Sequence, residues 1–466
     1  MSRLSDQAHR SEPRAEGIAQ LALNFHPSSP ITVTFDAPHI SSDGGALLLR
    51  QMDDRLRLSE RLAALLPDAR DPRKVKHDRR EQLRQRLYQI ALGYPDCNDA
   101  DRLRQDPVLK SVCDRSPPAA GLSSQPTLSR LENAVDLRRL RALVCAMEEQ
   151  YVRSFTEVPE VIVLDIDSTD DPTHGQQQLS GFHGYYDQHM YHPLVIFDGA
   201  RGQLVSVVLR PGTAHAARGA MGVLRRIIRR LKHRFPQTQI VVRGDSAFAV
   251  PRLRRMLEEL ERELGGSAYV VGLAQNAVLL RSGATALGAA RRRFHAAKQT
   301  GQHFDAFAYA AESWPQPRHV VMKAEVSEHG ANPRFVVTTL SEFAPALLYH
   351  AYCERGQCEN FIKDFKNALQ ADRLSCSRFA ANFFRLLEHA AAYVLVHALR
   401  TQVTPLAPQL GRAQFDTLRL QLLKVATIVS HSTRRLLVRL PAAFPLARVF
   451  RQLAMTLAAQ PVLSSA

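Results

Sequence analysis

The spacing of apolar residues divides the chain into a helical first part, a mixed middle part and a helical end. A short apolar run, Ile31–Phe35, predicts a strand, and mostly helical sequence follows it to about residue 157. A later apolar stripe at helical spacing predicts a helix that stops at Gly93-Tyr94-Pro95; its members are Leu83, Leu87, Ile90 and Tyr94. Four arginines of this helix fall away from the stripe: Arg79, Arg80, Arg84 and Arg86.

A second helix start is predicted at residues 123–127, where Pro126 suits a first helical turn. Short basic helices joined by tight turns are compatible with a helix-turn-helix DNA reader. They are equally compatible with a helical scaffold whose arginines are solvated. The pattern of this first part leaves both interpretations open.

From residue 160 the pattern becomes mixed. Apolar runs predict strands at residues 161–167, 193–197, 204–209 and 240–245, and helices are predicted at 214–235 and 250–264. This order predicts an α/β layer with a mixed sheet. Further strands are predicted at 269–273, 319–323 and 335–340, and the chain is mostly helical again from Leu347.

The net charge of the chain indicates a class of binding partner. The 466 residues include 61 Lys and Arg against 45 Asp and Glu, a net charge of +16. This surplus favours a polyanionic partner, most simply nucleic acid, over a merely soluble basic protein. The length predicts two to four domains at roughly 100–200 residues each.

Several protein classes are disfavoured by the same sequence. The first 17 residues lack the apolar core of a signal peptide, and the longest apolar segment, residues 379–399, is interrupted by polar residues. Six cysteines in so long a chain predict no disulfide framework, and no paired zinc signature is present. We therefore expect an intracellular protein without a membrane partner.

Two acids stand at the ends of predicted strands, in Asp167-Ser168-Thr169 and in Gly244-Asp245-Ser246. A carboxylate at the edge of an apolar sheet is costly unless it is paired or binds a cation. Either acid alone could instead cap the element that follows its strand. Two such acids on one sheet favour a divalent metal site, because hard cations prefer several carboxylate oxygens.

A third acid is offered by the predicted helix Tyr349–Leu369. Steps of three, four and seven residues align one stripe along it: Tyr352, Arg355, Glu359 and Lys366. Tyr, Arg and Lys can bind phosphates while Glu359 points from the same face at metal ions. A surface stripe of salt-paired residues is the alternative.

The pattern Tyr-x2-Arg-x3-Glu-x6-Lys resembles the signature of a group of bacterial insertion-sequence transposases with a DDE active site. The order of Asp-Ser-Thr, Gly-Asp-Ser and this box is also that of the family, as is the segment from Asp167 through Gly184-Tyr-Tyr-Asp-Gln-His189. The resemblance covers roughly residues 30–400, and no signature residue is missing.

The resemblance implies an RNase H-like catalytic core with a mixed sheet. In that fold the first acid lies on the first strand, the second just after the fourth strand, and the third on a later helix. The implied organisation is a polar lead-in (1–30), a mainly helical DNA-binding region (31–157), a catalytic core (158–274 and 341–400), a β-rich insertion domain (275–340) and a helical C-terminal region (401–466). The last region could bind DNA, dimerise or both.

The resemblance also implies a mechanism. Asp167, Asp245 and Glu359 are the implied catalytic residues and ligands of two Mg²⁺ ions, with Mn²⁺ as a substitute. Tyr352, Arg355 and Lys366 are the implied DNA-binding residues. The implied partners are double-stranded DNA, both terminal inverted repeats and target DNA, and a second copy of the chain. The implied location is the bacterial cytoplasm, at the nucleoid, and the implied reaction is cut-and-paste transposition.

Some assignments stay open at this stage. Asp165 has the same strand parity as Asp167, although the Asp-Ser-Thr context favours Asp167. The histidines between His174 and His192 have no closed zinc spacing, so they are expected to contact DNA or organise their loop. Trp314, the only tryptophan, could stack on an extruded base or pack in a core.

Two other functions compete with transposition. One is a non-catalytic DNA-binding regulator or domesticated relative, which would retain the basic surface but lose an acid. The other is an RNase H-like nuclease that cuts without strand transfer. All three acids and the complete box favour the transposase.

Overall fold

A computed structural model describes residues 21–23, 29, 31–34, 39–312 and 314–459. Most of the proposed lead-in, residues 1–30, and the end of the predicted strand at Phe35 lie outside them. Of that strand the structure has β2 (Ile31–Val33), which pairs antiparallel with β1 (Leu21–Leu23).

The first part of the chain is helical, with one short strand, β3 (Ile40–Ser41), before it. Its helices are α1 (Ala46–Leu56), α2 (Leu58–Ala63), α3 (Arg79–Ala91), α4 (Asp99–Leu103), α5 (Pro107–Val112), α6 (Gln125–Asn133) and α7 (Leu137–Arg153). Asp78 caps α3 and Asp136 caps α7 through backbone N–H groups of the first turn. Pro126 lies in the first turn of α6 as expected.

The arginines of α3 do not all face solvent, contrary to the sequence interpretation. Arg84 and Arg86 are buried, as are Gln82, Gln85 and Gln89. Arg84 bonds Asp114, while Arg86 lies 3.6 Å from Glu132 and 3.7 Å from Glu388 of the last long helix. Because residues 82–91 of α3 are all buried, this part of the helix cannot lie in a DNA groove.

The middle part forms one nine-stranded mixed sheet, which confirms the predicted α/β class. Its first strands in chain order are β4 (Val161–Ser168), β8 (Leu194–Asp198), β9 (Leu204–Val208), β10 (Gln239–Gly244) and β11 (Ser267–Leu273). β4 is central: β10 runs parallel beside it, and β8 antiparallel on its other side. A small side sheet, β5 (Asp171–Pro172), β6 (Gly181–His183) and β7 (Gln188–Tyr191), follows β4.

Helices cover both faces of this sheet. α8 (Ala220–Arg234) and α9 (Pro251–Leu264) share one apolar core with Ile162, Leu164 and Ile166 of β4. The opposite core joins Val195 and Phe197 of β8 to the N-terminal helices and to α14 (Phe379–Val403). Alternate residues of the strands therefore belong to different cores, as a sheet covered on both faces requires.

Residues 275–340, the expected insertion domain, contain two helices as well as strands. These elements are α10 (Ala277–Ser282), α11 (Ala284–Ala297), β12 (Gly301–Tyr309), β13 (Arg318–Ser327), β14 (Gly330–Ala331) and β15 (Arg334–Thr338). Their strands do not form a sheet of their own. β15 pairs antiparallel with β11, so they extend the central sheet.

The predicted helix Tyr349–Leu369 is broken. It consists of α12 (Pro345–Cys353), α13 (Gly356–Lys363) and a π-helical turn over Asp364–Ala368. Gly356, a weak helix former, directly follows the break. In the π turn the Asp364 carboxylate bonds Arg400 and the backbone N–H of Phe415.

The C-terminal part is not wholly helical, which corrects the expectation for residues 401–466. It contains α15 (Pro408–Arg412), α16 (Phe415–Leu418), a hairpin of β16 (Thr427–Ser432) and β17 (Arg435–Arg439), and α17 (Ala447–Ala459). β16 also pairs with β3, which joins the two ends of the described chain. No described helix is both long and apolar enough for a membrane span.

Candidate active site

Neighbouring strand ends bring Asp167 and Asp245 together. β4 and β10 run parallel in a register that pairs Ile166 with Gly244, and each acid is the next residue. The Asp245 carboxylate accepts a hydrogen bond from the Ala247 N–H at 2.9 Å, which starts a short 3₁₀ turn. Asp245 acts on Asp167 electrostatically, since its negative charge contributes to raising the pKa of Asp167. Asp245 thus caps the turn that follows its strand, and it also lies at the same sheet edge as Asp167, as a shared cation site requires.

The Asp167 carboxylate is nearly enclosed and strongly engaged. It accepts hydrogen bonds from Ser168 N–H at 2.8 Å and from Arg355 Nη1 at 3.0 Å. Burial, with repulsion from Asp245, raises its pKa to about 6, although Arg355 opposes the shift. A further positive charge at this edge would therefore favour the ionised form.

Asp165 lies in a different environment from Asp167. It is fully buried, and Arg243 Nε and Nη2 donate to its two oxygens at 2.7 and 2.8 Å. Arg243 Nη1 also donates to the Ala351 carbonyl oxygen at 2.5 Å, which fastens α12 to the sheet. The Asp165 carboxylate is thus committed to a structural ion pair, while Asp167 faces the other acid.

Tyr352 and Arg355 of the box lie at the helix break and close to the acids. Arg355 contacts Asp167, and Tyr352 packs so closely on β11 that a Cβ at Gly272 would lie 2.6 Å from its Oη. Burial, with a contribution from the nearby Asp245, raises the pKa of Tyr352, and Arg355 opposes it. Two members of the predicted stripe therefore reach the predicted acids.

Glu359 is on the exposed surface of α13. Among the described residues, no hydrogen bond links the Glu359 side chain to Asp167 or Asp245. Within residues 39–312 and 314–459, no group of three or more His, Cys, Asp or Glu side chains is arranged to hold a metal ion. The third acid accordingly stays a prediction.

Lys366 lies in the π-helical turn and bonds Asp170, a residue of the loop after β4. Its ammonium donates to the Asp170 carboxylate and to the Asp170 carbonyl oxygen, both at 2.7 Å. Gln188 of β7 donates to the other carboxylate oxygen at 3.0 Å. Burial alone would raise the pKa of Asp170, but the bond to Lys366 gives a net lowering. Nothing in the local sequence around Asp170 signalled this partner.

The hairpin of β6 and β7 adds an aromatic residue that sequence reasoning missed. Burial, with the charges of Asp170, Asp167 and Asp245, raises the pKa of Tyr186 to about 12. The phenol is therefore within electrostatic reach of these three acids, the acid cluster. The sequence signal was only that Tyr186 stands within the quoted segment Gly184–His189. The neighbouring Tyr185 is 87% exposed.

The histidines of this segment organise the hairpin. The rings of His183 and His192 stack edge to face at 4.8 Å, and Tyr186 contacts both. His192 Nδ1 bonds the Ala214 carbonyl oxygen at 2.7 Å, and burial lowers its pKa to about 4. These contacts favour loop organisation over metal binding for the two residues.

Trp314 is packed against side chains of the α9 core. The Arg254 guanidinium lies 3.7 Å from its ring centroid, and the Tyr309 ring packs edge to face with it at a centroid distance of 5.2 Å. Of the two roles left open by the sequence, packing is the one with contacts in the structure.

A family model described as "Transposase DDE domain group 1" matches residues 24–462. Among solved structures, the chain is similar to the piggyBac transposase in a cryo-EM structure of its synaptic complex with hairpin DNA. That match has 10% sequence identity and a TM-score of 0.42, over 91% of this chain and 87% of that chain. A comparison with curated proteins finds no significant match.

Proposed function

Because the chain belongs to the DDE transposase family, group 1, we propose that it cuts DNA at the terminal inverted repeats of its own insertion sequence. It then joins the cut ends to target DNA in a cut-and-paste reaction. The observation that carries the proposal is the meeting of Asp167 and Asp245 at one sheet edge, with Arg355 of the signature box bonded to Asp167.

The arrangement of the acids supports an RNase H-like core. Asp167 lies on the first strand of the central sheet in chain order, and Asp245 directly follows the fourth. We propose residues 158–274 and 341–400 as this core and residues 31–157 as a helical region that covers it. Residues 275–340 are the proposed insertion, built as an extension of the core sheet.

A divalent metal fits the two acids by the chemistry of their oxygens. DDE transposases generally use divalent metal ions, and Mg²⁺ is the ion we propose, since carboxylate oxygen is its preferred protein ligand. Asp167 and Asp245 would hold it, with Glu359 as the proposed third ligand. A bound ion would supply activation of a water or a DNA 3′-hydroxyl and stabilisation of the leaving oxygen.

The protein's own side chains prepare this edge for phosphate. Arg355 holds the Asp167 carboxylate in place and offsets the repulsion between the two acids. Lys366 fixes the loop after β4 through Asp170, and the phenols of Tyr352 and Tyr186 are close enough to sense the acids electrostatically. We propose that Tyr352, Arg355 and Lys366 contact the phosphates of the transposon end.

The test is cleavage of a plasmid carrying the DNA that flanks the reading frame. Purified protein with Mg²⁺ is expected to nick and linearise this plasmid, and a labelled end is expected to join a second DNA. Asp167→Asn and Asp245→Asn are expected to lower the cleavage rate by at least about 100-fold while the protein stays folded. Near-normal cleavage by Asp245→Asn would refute the assignment.

The same assay separates the competing functions. Binding to this DNA without cleavage by the wild-type protein would indicate a regulator. Cleavage without joining of the labelled end would indicate a nuclease. We propose that a second copy of the chain helps to hold the two DNA ends. Mass photometry of the protein–DNA complex measures the number of protein copies in it.

A further inference from the structure

The hairpin of β16 and β17 carries a basic surface and belongs to a different sheet from the strands that bear the acid cluster. The two strands pair from Ile428 with Arg439 to Ser432 with Arg435 and turn at Thr433 and Arg434. Only its base is buried, through Thr427 and Val429, whereas residues 430–436 are all exposed. We call the segment Thr427–Arg439 the ribbon.

One face of the ribbon combines arginines with hydroxyl groups. Directly opposed residues of an antiparallel pair share a face, so Arg435 lies beside Ser432, and Arg439 lies beside Ile428. Arg439 Nη1 donates to Ser430 Oγ at 3.0 Å on this same face. Guanidinium and hydroxyl groups in this mixture are donors that bind phosphate oxygens.

The ribbon's arginines have no acidic partners among the described residues. No carboxylate lies within ion-pair distance of Arg434, Arg435 or Arg439 there, and residues 417–466 contain no Asp or Glu. The arginine row of α8 differs in this respect. Arg225 lies 4.0 Å from Glu259, and Arg229 lies 2.9 Å from Glu263.

Two further arginines of α8 are engaged as well. Arg226 and Arg230 converge on the buried Glu148 at 2.6 and 3.4 Å. These four arginines of α8 are therefore largely neutralised within the protein. The positive charge of the ribbon is available to an external anion.

The base of the ribbon is firmly held. β16 pairs with β3, and Val429 N–H donates to the His39 carbonyl oxygen at 2.9 Å. Gly44 lies so close that a Cβ there would be 2.0 Å from Thr427 Oγ1. A rigid base with an exposed basic tip is a geometry suited to entering a groove.

We propose that the ribbon binds double-stranded DNA, with its tip in the major groove and Arg434, Arg435 and Arg439 on the flanking phosphates. The major groove of B-DNA admits a two-stranded β-ribbon. A second copy of the chain would meet like charge at this surface, which favours DNA as the occupant. The proposal rests on the proposed function for the presence of DNA, and it adds a binding element separate from the acid cluster.

The experiment compares two double variants of the full chain that carry the same net charge. Arg434→Ala/Arg435→Ala removes two unpaired charges of the ribbon, and Arg225→Ala/Arg229→Ala removes two paired charges of α8. Binding is measured by fluorescence anisotropy in EDTA, with a labelled duplex of the flanking DNA over a series of salt concentrations. EDTA prevents metal-dependent cleavage, so affinity is measured alone.

The ribbon variant is expected to bind about 10- to 100-fold more weakly than wild type and to lower the slope of log K against log salt by about 2. The α8 variant is expected to stay within about threefold of wild type. Equal weakening of both variants, or wild-type affinity of the ribbon variant, would overturn the proposal. Loss of self-association with unchanged DNA affinity would overturn it too.

Failure of the proposed function gives a different result. A wild-type protein that binds through the ribbon but never cleaves with Mg²⁺ would refute the transposase activity and leave the ribbon proposal intact. A protein that cleaves normally and whose ribbon variant binds normally would refute only the ribbon proposal.

Discussion

Arg355 Nη1 donates a 3.0 Å hydrogen bond to the Asp167 carboxylate across 188 residues of sequence. The two residues belong to different signature segments, and the contact offsets the charge of the buried acid. The same guanidinium is also a proposed phosphate ligand, so its N–H groups must bond both the Asp167 carboxylate and a phosphate oxygen. Five N–H groups in a planar fork allow both at once.

Arg355→Ala is therefore expected to lower the rate of strand cleavage by about 100-fold at saturating DNA. Arg355→Lys keeps the charge but not the fork, and we expect it to be intermediate, about tenfold below wild type. Initial nicking rates measure both. A wild-type rate for the alanine variant would show that the contact has no part in the reaction.

Glu359→Gln tests the third acid. Because Glu359 is exposed, the substitution is expected to leave the unfolding free energy within about 0.5 kcal/mol of wild type. The cleavage rate is expected to fall by at least about 100-fold if the residue serves as a ligand. Glu354→Gln is the matched control, since Glu354 is another exposed glutamate, 75% accessible, on the same segment. Equal rates for the two variants would remove Glu359 from the proposed site.

Gly199→Ala tests the structural ion pair beneath the acids. An added Cβ would lie 2.3 Å from Asp165 Oδ2 and 2.5 Å from Arg243 Nη2, so the buried pair must separate or shift. We expect a loss of about 3 kcal/mol in the unfolding free energy, measured with urea. Gly222→Ala in α8 is the control, because nothing lies within 4 Å of its added Cβ. That variant is expected to gain about 0.5–1 kcal/mol from helix propensity.

His397 predicts a pH dependence of stability. Its Nε2 donates to the Arg201 carbonyl oxygen at 2.9 Å, and burial lowers its pKa to about 3. An unfolded histidine titrates near pH 6.5, so below that pH the unfolded chain binds a proton that the folded protein excludes. The stabilising contribution is complete above about pH 6.5 and is lost as the pH falls toward 3.

His397→Gln keeps a side-chain donor without the titration. We expect wild type to lose roughly 1.5 kcal/mol more than this variant between pH 6.5 and pH 5. Urea unfolding over that range measures the difference. Parallel pH profiles for the two proteins would contradict the assignment.

The sequence predicted the mixed sheet and the positions of Asp167 and Asp245 at strand ends, because both depend on local patterns. Apolar runs of four and three residues, Val161–Leu164 and Ile240–Val242, marked the strands that lead to Asp167 and Asp245. The same ends of neighbouring parallel strands necessarily meet at one edge. The break before Gly356 was not predictable in this way, because the residues on both sides continue the helical period. Lys366 lies in a π turn, which the regular spacing of helical residues does not predict. Its bond to Asp170 was therefore not predictable from the sequence either.

Burial of polar residues was the main error, and its cause is also physical. Arg86 is a buried residue whose acidic neighbours, Glu132 and Glu388, are distant in sequence, so periodicity alone places it outside. The ribbon was missed because its turn, Thr433-Arg434, has none of the glycine or asparagine that marks a tight hairpin.

The pairing of β3 with β16 fixes the order in which a newly made chain can complete its fold. Gly44 and Gly45 donate to the carbonyl oxygens of Val425 and Leu423, partners that leave the ribosome some 380 residues later. Until then α1 lacks both these backbone hydrogen bonds and the packing of α17 against its apolar side chains. The N-terminal helices therefore cannot complete their packing from their own segment alone, and closure of this helical layer waits until residues 423–459 have been synthesised.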